Sequence, residues 1–137
     1  MENKNKKVMI VDDDKFLVDM YSLKFSKYGF DIESATKGEE ALEKLREGAN
    51  PDILMLDVVM PSLDGIGLLK KIRQEKLADG AVVVMLTNQG QKSDIDEAEK
   101  LGVSGYIVKA TTIPSEVVEE IMVIYNNTGK NKNAKRL

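Results

Sequence analysis

The chain has 137 residues, a formal net charge of −3, and neither cysteine nor histidine. This length fits one domain that can bury its own core. The two missing residue types exclude disulfides, Cys/His zinc sites, cysteine nucleophiles and histidine general bases. No phosphohistidine can form on this chain either. Any chemistry must therefore rest on carboxylates, hydroxyls, lysines or a hard metal ion.

Targeting signals are not evident in the sequence. The first seven residues are polar and basic, and the apolar run that follows is only one strand long. A signal peptide needs a longer apolar segment, and no run approaches the length of a membrane span. We therefore expect a cytoplasmic protein without membrane contact. Residues 126–137 are rich in Asn and Lys, which predicts a disordered tail after a folded domain at 8–125 and a basic lead at 1–7.

Short apolar runs alternate with amphipathic stretches along the chain. The runs predict strands at residues 8–11, 30–33, 53–56, 81–86 and 105–108. Helical spacing predicts helices at residues 16–28, 37–47, 66–76 and 94–101, and from Pro114 onward. In the first helix the apolar residues with this spacing are Phe16, Leu17, Met20 and Leu23. Five strand–helix units predict an α/β fold with a parallel sheet and helices on both faces, and the chain is too short for an eight-unit barrel.

Side chains that can do chemistry follow four of the predicted strands. Asp12 and Asp13 follow the first strand, Asp57 the third, Thr87 the fourth and Lys109 the fifth. Ligands of open parallel sheets bind outside the carboxyl ends of the strands, where the winding reverses. In the strand order 2-1-3-4-5, which is known for five-stranded sheets of this kind, the first and third strands are neighbours. The three aspartates would then converge.

Three converging carboxylates repel one another unless a cation lies between them. Without imidazole or thiolate ligands, Mg²⁺ is the natural cation for such a site. A lysine and a hydroxyl opposite the metal would hold the oxygens of a transferring phosphoryl group. A carboxylate can itself be the nucleophile and form an acyl phosphate. This set of residues predicts phosphoryl transfer onto an aspartate.

The motifs, taken in order, resemble the receiver domain of two-component response regulators, in particular the stand-alone regulators of the chemotaxis type. The resemblance covers residues 8–125 and rests on Val11-Asp12-Asp13, Leu56-Asp57-Val58-Val59-Met60-Pro61, Asp64-Gly65, Thr87 and Gly105-Tyr106-Ile107-Val108-Lys109. It implies a flavodoxin-like, doubly wound (βα)5 fold with sheet order 2-1-3-4-5. It also implies a signalling switch that promotes only its own phosphorylation and dephosphorylation and is not otherwise an enzyme.

The resemblance also implies a role for each site residue. Asp57 would accept a phosphoryl group from a histidine kinase or phosphotransfer protein. Asp13 and Asp57 would bind Mg²⁺ directly, Asp12 would bind it through water, and the main-chain carbonyl of Val59 would be a further ligand. Lys109 would pair with the phosphoryl oxygens.

Two further residues are implied to carry the switch. Thr87 would move inward to hydrogen-bond the phosphate, and Tyr106 would change rotamer to fill the space left behind. The surface formed by the fourth helix, fifth strand and fifth helix would then bind a downstream protein target. The expected oligomeric state is a monomer or a dimer promoted by phosphorylation. Direct DNA binding is not expected.

The sequence departs from the family pattern at four positions. Ala110 follows Lys109, where the family usually has a proline in a cis bond. Because a non-proline cis bond costs about 3 kcal/mol, we predict a trans Lys109–Ala110 bond and a rearranged loop to Pro114. Asn88 is larger than the residue usual there, which would narrow access for the phosphodonor. Val59 and Gln89 are uncharged at positions that tune loss of the phosphoryl group, which predicts slow hydrolysis.

Several alternatives remain open at this stage. Asp14 and Asp64 are better explained as helix N-caps than as ligands. The Asp-x-Asp spacing of Asp12 and Asp14 resembles the nucleophile motif of haloacid-dehalogenase-type phosphatases, although the late acidic motif and the length of that family are missing. Two further alternatives to a phosphorylated receiver exist. One is a pseudo-receiver that is never phosphorylated, and the other is nonspecific binding of nucleic-acid phosphates by residues 130–136. Met1 favours a complete N-terminus, but a complete regulator and a fragment of a larger one are not separable by sequence.

Overall fold

The computed structural model describes residues 6–88 and 92–128. Its strands are β1 (Lys7–Val11), β2 (Asp31–Ala35), β3 (Ile53–Asp57), β4 (Val82–Thr87) and β5 (Gly105–Val108). Its helices are α1 (Lys15–Lys27), α2 (Gly38–Arg46), α3 (Gly65–Gln74), α4 (Lys92–Lys100) and α5 (Pro114–Asn127). A short 3₁₀ turn at Lys109–Thr111 joins β5 to α5.

The five strands form one parallel sheet in the order β2-β1-β3-β4-β5, as predicted. Successive side chains of a strand point to opposite faces, so the strands contribute to two separate cores. Met9, Leu54 and Val83 pack with residues of α2, α3 and α4 on one face. Val8 and Ile53 pack with residues of α1 and α5 on the other. The three central strands are therefore covered on both sides, which explains their continuous apolar sequences.

The face of α1 that is buried is not the face that the spacing of apolar residues predicts. Phe16 and Leu23 are 69% and 59% exposed, and Met20 is also exposed. The residues that α1 buries against the sheet and α5 are Val18, Tyr21 and Phe25. The helix carries two apolar stripes, and only contact with the sheet decides which of them is covered.

The other helices bury the predicted residues. Ala41, Leu42 and Leu45 of α2 are buried, as are Leu68, Leu69 and Ile72 of α3 and most of the predicted face of α5. β1 begins at Lys7, one residue before the predicted strand, and α5 continues through Asn127. The rest of the predicted tail, 129–137, lies outside the described residues, as do residues 1–5 and Gln89.

Two helix caps and one peptide bond are as predicted. The Asp14 carboxylate accepts a hydrogen bond from the Leu17 N–H at 3.2 Å, and that of Asp64 accepts one from the Gly67 N–H at 2.7 Å. Both residues are therefore N-caps, of α1 and α3. No cis peptide bond occurs within the described ranges, so the Lys109–Ala110 bond is trans. Among the described residues, no helix has the length and apolar character that crossing a bilayer requires.

Candidate functional site

Three aspartates converge at the carboxyl ends of β1 and β3. The two strands are paired in register, with Val11 opposite Leu56, so the residues that follow them stand side by side. One carboxylate oxygen from each of Asp12, Asp13 and Asp57 lies within 4.8 Å of the others. Asp12 and Asp57 are buried, whereas Asp13 is exposed. The predicted acidic cluster is thus present, with one of its acids open to solvent.

Lys109 reaches this cluster from the end of β5. Its Nζ donates a hydrogen bond to Asp12 Oδ2 at 2.8 Å and lies 3.5 Å from Asp57 Oδ2. The other oxygen of Asp12, Oδ1, accepts the Asp14 main-chain N–H at 2.9 Å. The lysine side chain is only 11% exposed, so solvent screens these ion pairs little. Asp12 and Lys109, 97 residues apart in the sequence, therefore form one electrostatic unit with Asp57.

The electrostatics of the cluster favour a proton or a cation on Asp57. Burial raises the pKa of Asp57 to about 7, and the charges of Asp12 and Asp13 act in the same direction against the opposing effect of Lys109. Burial alone would lower the pKa of Lys109, but its hydrogen bond to Asp12 and the charge of Asp57 raise it above its usual value. Lys109 therefore stays charged near neutral pH, whereas Asp57 is present there in both its protonated and its ionised form.

Within the described residues, one carboxylate oxygen of the cluster lacks a partner. Asp57 Oδ1 is buried and makes no hydrogen bond with any part of the chain that the structure describes. A buried, unpaired carboxylate oxygen is costly unless a cation or a proton satisfies it. The donor set consists of oxygens alone, which is the chemistry that Mg²⁺ prefers. The residues present therefore fit a hard divalent cation.

An open cleft of about 610 Å³ lies over the cluster. It is lined by Asp13, Asp14, Leu17, Asp57, Val59, Asn88 and Lys109. Leu17 was not predicted to border the site. The sequence does hint at this position, because Leu17 lies three residues after Asp14, in the first turn of α1. Val59 is 60% exposed at the rim, and Asn88 is exposed as well. A group that reaches Asp57 from outside must pass these side chains.

Neither of the two predicted switch residues lines the cleft. Thr87 ends β4 opposite Val108 and is 4% exposed. Tyr106 of β5 stands opposite Met85 and is 39% exposed, so its ring is directed partly to solvent. This arrangement leaves Tyr106 at the surface and Thr87 inside.

Tyr21 is a neighbour of the site that the sequence did not single out. This α1 side chain is 1% exposed and packs in the core shared by α1, α5 and the sheet. Burial raises the pKa of its hydroxyl strongly, and the negative charges of Asp12 and Asp57 raise it further. No sequence motif identifies Tyr21 as a buried neighbour of the aspartates, because its position depends on how α1 packs against the sheet.

Comparison with known proteins gives a consistent result. The family model described as "Response regulator receiver domain" matches residues 8–121. The chemotaxis protein CheY of Thermotoga maritima is 38% identical over 117 residues, a match that covers 85% of this chain and 94% of that protein. The alkaline phosphatase synthesis transcriptional regulatory protein PhoP of Bacillus subtilis is 37% identical over 120 residues. That match covers 88% of this chain but only 48% of PhoP, so this chain spans about half the length of that relative.

Solved structures of similar proteins share the fold. The chemotaxis protein CheY4 of Vibrio cholerae has a TM-score of 0.77 and 28% identity, with 87% of this chain and 98% of that chain covered. The receiver domain of the Francisella response regulator 1452 has a TM-score of 0.76 and 32% identity, with 90% and 99% covered. The five parallel strands with their helices are thus the same architecture in all three chains.

Proposed function

Because the chain belongs to the response regulator receiver family, we propose that it is a phosphorylation-dependent signalling switch whose phosphoacceptor is Asp57. The observation that carries this proposal is the buried Asp57 carboxylate, with an unpaired oxygen, between two acids and a lysine. The donor is a phosphohistidine on another protein, either a histidine kinase or a phosphotransfer protein, since this chain has no histidine.

The transfer needs an ionised Asp57. A carboxylate oxygen of Asp57 forms a bond to phosphorus, the bond from phosphorus to the donor nitrogen breaks, and its electron pair leaves with the imidazole. The product is an acyl phosphate on Asp57. Asp57 has a pKa of about 7 in the metal-free chain, so the reactive form is partly populated near neutrality. Loss of the proton and entry of a cation are coupled at this residue.

Lys109 supplies fixed positive charge at the other side of the reacting carboxylate. It lies 3.5 Å from Asp57 Oδ2 and is held by Asp12, so it is already oriented before a donor arrives. A preorganised cation in a partly buried site stabilises the charge that builds up on the phosphoryl oxygens. This is the role that we propose for Lys109.

Magnesium is the cofactor that we propose. Asp13 and Asp57 would hold it directly, Asp12 through water, and the Val59 main-chain carbonyl would complete the protein ligands. When bound, Mg²⁺ supplies positive charge to the phosphoryl oxygens and offsets the repulsion among the three acids. The oxygen-only donor set and the unpaired Asp57 oxygen support this assignment.

The output is proposed to be a change of the surface formed by α4, β5 and α5. In this switch Thr87 would move towards the phosphoryl group, and Tyr106 would change rotamer to fill the space left behind. The half-exposed ring of Tyr106, on the strand that pairs with the strand of Thr87, supports this proposal. A downstream protein would bind this surface, in a monomer or in a dimer promoted by phosphorylation. We propose that this chain does not itself contact DNA and that it catalyses only its own phosphorylation and dephosphorylation. We propose the cytoplasm as its location.

The experiment is phosphorylation by a small-molecule donor. The protein is incubated with acetyl phosphate and Mg²⁺ and is analysed by intact mass, beside Asp57→Asn and Asp64→Asn. The expected result is one added phosphoryl group on the parent and on Asp64→Asn, since Asn also caps a helix, and none on Asp57→Asn. A parent that takes no group from the small donor or from a histidine kinase would be a pseudo-receiver instead.

A further inference from the structure

Lys109 reaches the acidic cluster from a turn rather than from a strand or a long helix. It is the first residue of the 3₁₀ turn Lys109–Thr111, which lies between β5 and α5. Its Nζ lies 2.8 Å from Asp12 Oδ2 and 3.5 Å from Asp57 Oδ2. Because a lysine side chain is long and flexible, the place of its ammonium group depends on how firmly the main chain of the residue is held.

Thr112 binds the main chain on both sides of Lys109. Its hydroxyl donates a hydrogen bond to the Val108 carbonyl at 2.9 Å, and its N–H donates one to the Lys109 carbonyl at 3.3 Å. These carbonyls belong to the peptide groups before and after Lys109. Thr112 is half-buried, so water competes little for the bond of its hydroxyl. One residue therefore fixes the backbone conformation of the lysine.

The two residues beside Thr112 hold the turn less firmly. Thr111 Oγ1 also donates to the Val108 carbonyl, but at 3.3 Å and from an exposed side chain. Such a longer bond is weaker and exchanges readily with water. Ile113, at the N-cap of α5, is 58% exposed, and its side chain has no polar atom with which to cap the helix. Of these three residues, Thr112 makes the firmest contact with the backbone around Lys109.

Both ends of the connection from β5 to α5 are fixed in the core. Val108 ends β5 in register with Thr87 of β4. At the other end α5 begins at Pro114, and Val117 in its first turns is buried. Thr112 is thus held between two elements that are anchored independently of Lys109. A positioning group needs such rigid support.

We propose that Thr112 is a positioning residue for Lys109, which keeps the ammonium group within reach of Asp57 and of the phosphoryl group. This rests on the proposed function, in which Lys109 pairs with the phosphoryl oxygens. Thr112 is not among the residues that line the cleft, and it acts through the main chain of Lys109. Loss of its hydroxyl lets the turn sample other conformations, and the rate of transfer falls with the fraction of the productive one.

The test compares Thr112→Val with Thr111→Val. Both replace a hydroxyl by a methyl group in the same turn, and both hydroxyls donate to the same carbonyl, so the two substitutions are matched. Thr112→Ser keeps the hydroxyl and serves as the conservative variant. The rate of phosphorylation by acetyl phosphate with Mg²⁺ is followed by intact mass, and the Mg²⁺ affinity of each protein is measured by calorimetry.

Thr112→Val is expected to slow phosphorylation about fivefold, whereas Thr111→Val and Thr112→Ser stay within about twofold of the parent. Mg²⁺ affinity should not fall in any variant, because the proposed ligands of the metal are not moved. If the rate and the Mg²⁺ affinity of Thr112→Val fall together, Thr112 is a structural residue and the positioning role is wrong. Equal slowing by Thr111→Val would also contradict the assignment to Thr112.

A double-mutant cycle with Lys109→Met tests whether Thr112 acts through the lysine. In the metal-free protein, Thr112→Val and Lys109→Met together should lower the free energy of unfolding by less than the sum of the single losses, and additive losses would contradict the proposal. If the parent accepts a phosphoryl group and Thr112→Val reacts at the parent rate, the positioning role is wrong and the function stands. If the parent takes no group from acetyl phosphate or from a histidine kinase, the proposed function fails, and the role of Thr112 in it fails as well.

Discussion

Lys109 binds Asp12 more closely than it binds Asp57. Its Nζ lies 2.8 Å from Asp12 Oδ2 and 3.5 Å from Asp57 Oδ2. Lys109 therefore neutralises Asp12, which is buried beside the proposed phosphoacceptor, and remains close enough to Asp57 to interact with it. One consequence is that the stability of the metal-free domain and the chemistry of Asp57 depend on the same side chain.

Replacement of Lys109 by methionine should destabilise the metal-free protein by about 3 kcal/mol, because Asp12 and Asp57 are left buried without their cation. Urea denaturation measures this loss, and Mg²⁺ should restore part of it. Lys70→Met is the control, since the pair of Lys70 with Glu97 at 3.2 Å is about half exposed and should change stability by less than about 0.5 kcal/mol. A similar loss in both variants would contradict the prediction.

The stability of the metal-free protein should fall as the pH rises from about 4 to about 7. Burial raises the pKa of Asp57 from 3.8 to about 7, so in this range the folded state holds a proton that the unfolded state has released. Stability decreases with pH wherever the folded state binds more protons. Three pKa units correspond to about 4 kcal/mol as an upper figure.

Asp57→Asn isolates this effect, since it removes the titrating group without changing the shape of the side chain. The difference in unfolding free energy between the variant and the parent should be small near pH 4 and should favour the variant at pH 7.5. Saturating Mg²⁺ should reduce the difference at pH 7.5. A difference independent of pH would mean that Asp57 is ionised throughout the range.

Gly65→Ala should disturb the acceptor directly. A Cβ on Gly65 would overlap the carbonyl oxygen of Asp57 and approach Val58 Cα at 3.0 Å, so the backbone at the end of β3 must move. We expect a loss of about 2 kcal/mol in stability, together with slower phosphorylation by acetyl phosphate. Gly80→Ala is the control, because nothing lies within 4 Å of a Cβ there. Full phosphorylation of Gly65→Ala at the parent rate would contradict this prediction.

Val59 should make the phosphorylated state long-lived. Its side chain lines the cleft, is 60% exposed and has no polar atom with which to orient an attacking water. Val59→Asn should therefore speed loss of the phosphoryl group roughly tenfold, and Val59→Ala should not. Decay of the intact-mass adduct at neutral pH with Mg²⁺ measures both rates. A parent lifetime of only seconds would show that slow hydrolysis was wrongly predicted.

The periodicity of the sequence predicted most of the fold. Continuous apolar runs identified strands buried on both faces, and the helical stripes of α2, α3 and α5 were the ones that the structure buries. The first helix was the exception, because Phe16, Met20 and Leu23 have the spacing of a buried face and are exposed. Val18, Tyr21 and Phe25 form a second stripe, and periodicity alone cannot rank two stripes of similar composition.

The residue types at the ends of the strands can be read from the sequence: Asp12 follows β1, Asp57 and Thr87 are the last residues of β3 and β4, and Lys109 follows β5. That order follows from local patterns, because strands end where apolar runs end. The packing of the strands and helices sets how these residues share charge: Lys109 hydrogen-bonds Asp12, and one oxygen of Asp57 has no partner among the described residues. It also placed Gly38 against Leu63, in the loop that carries Val59. Burial and charge coupling depend on distances between strands and helices that are far apart in sequence, and no local sequence pattern encodes those distances.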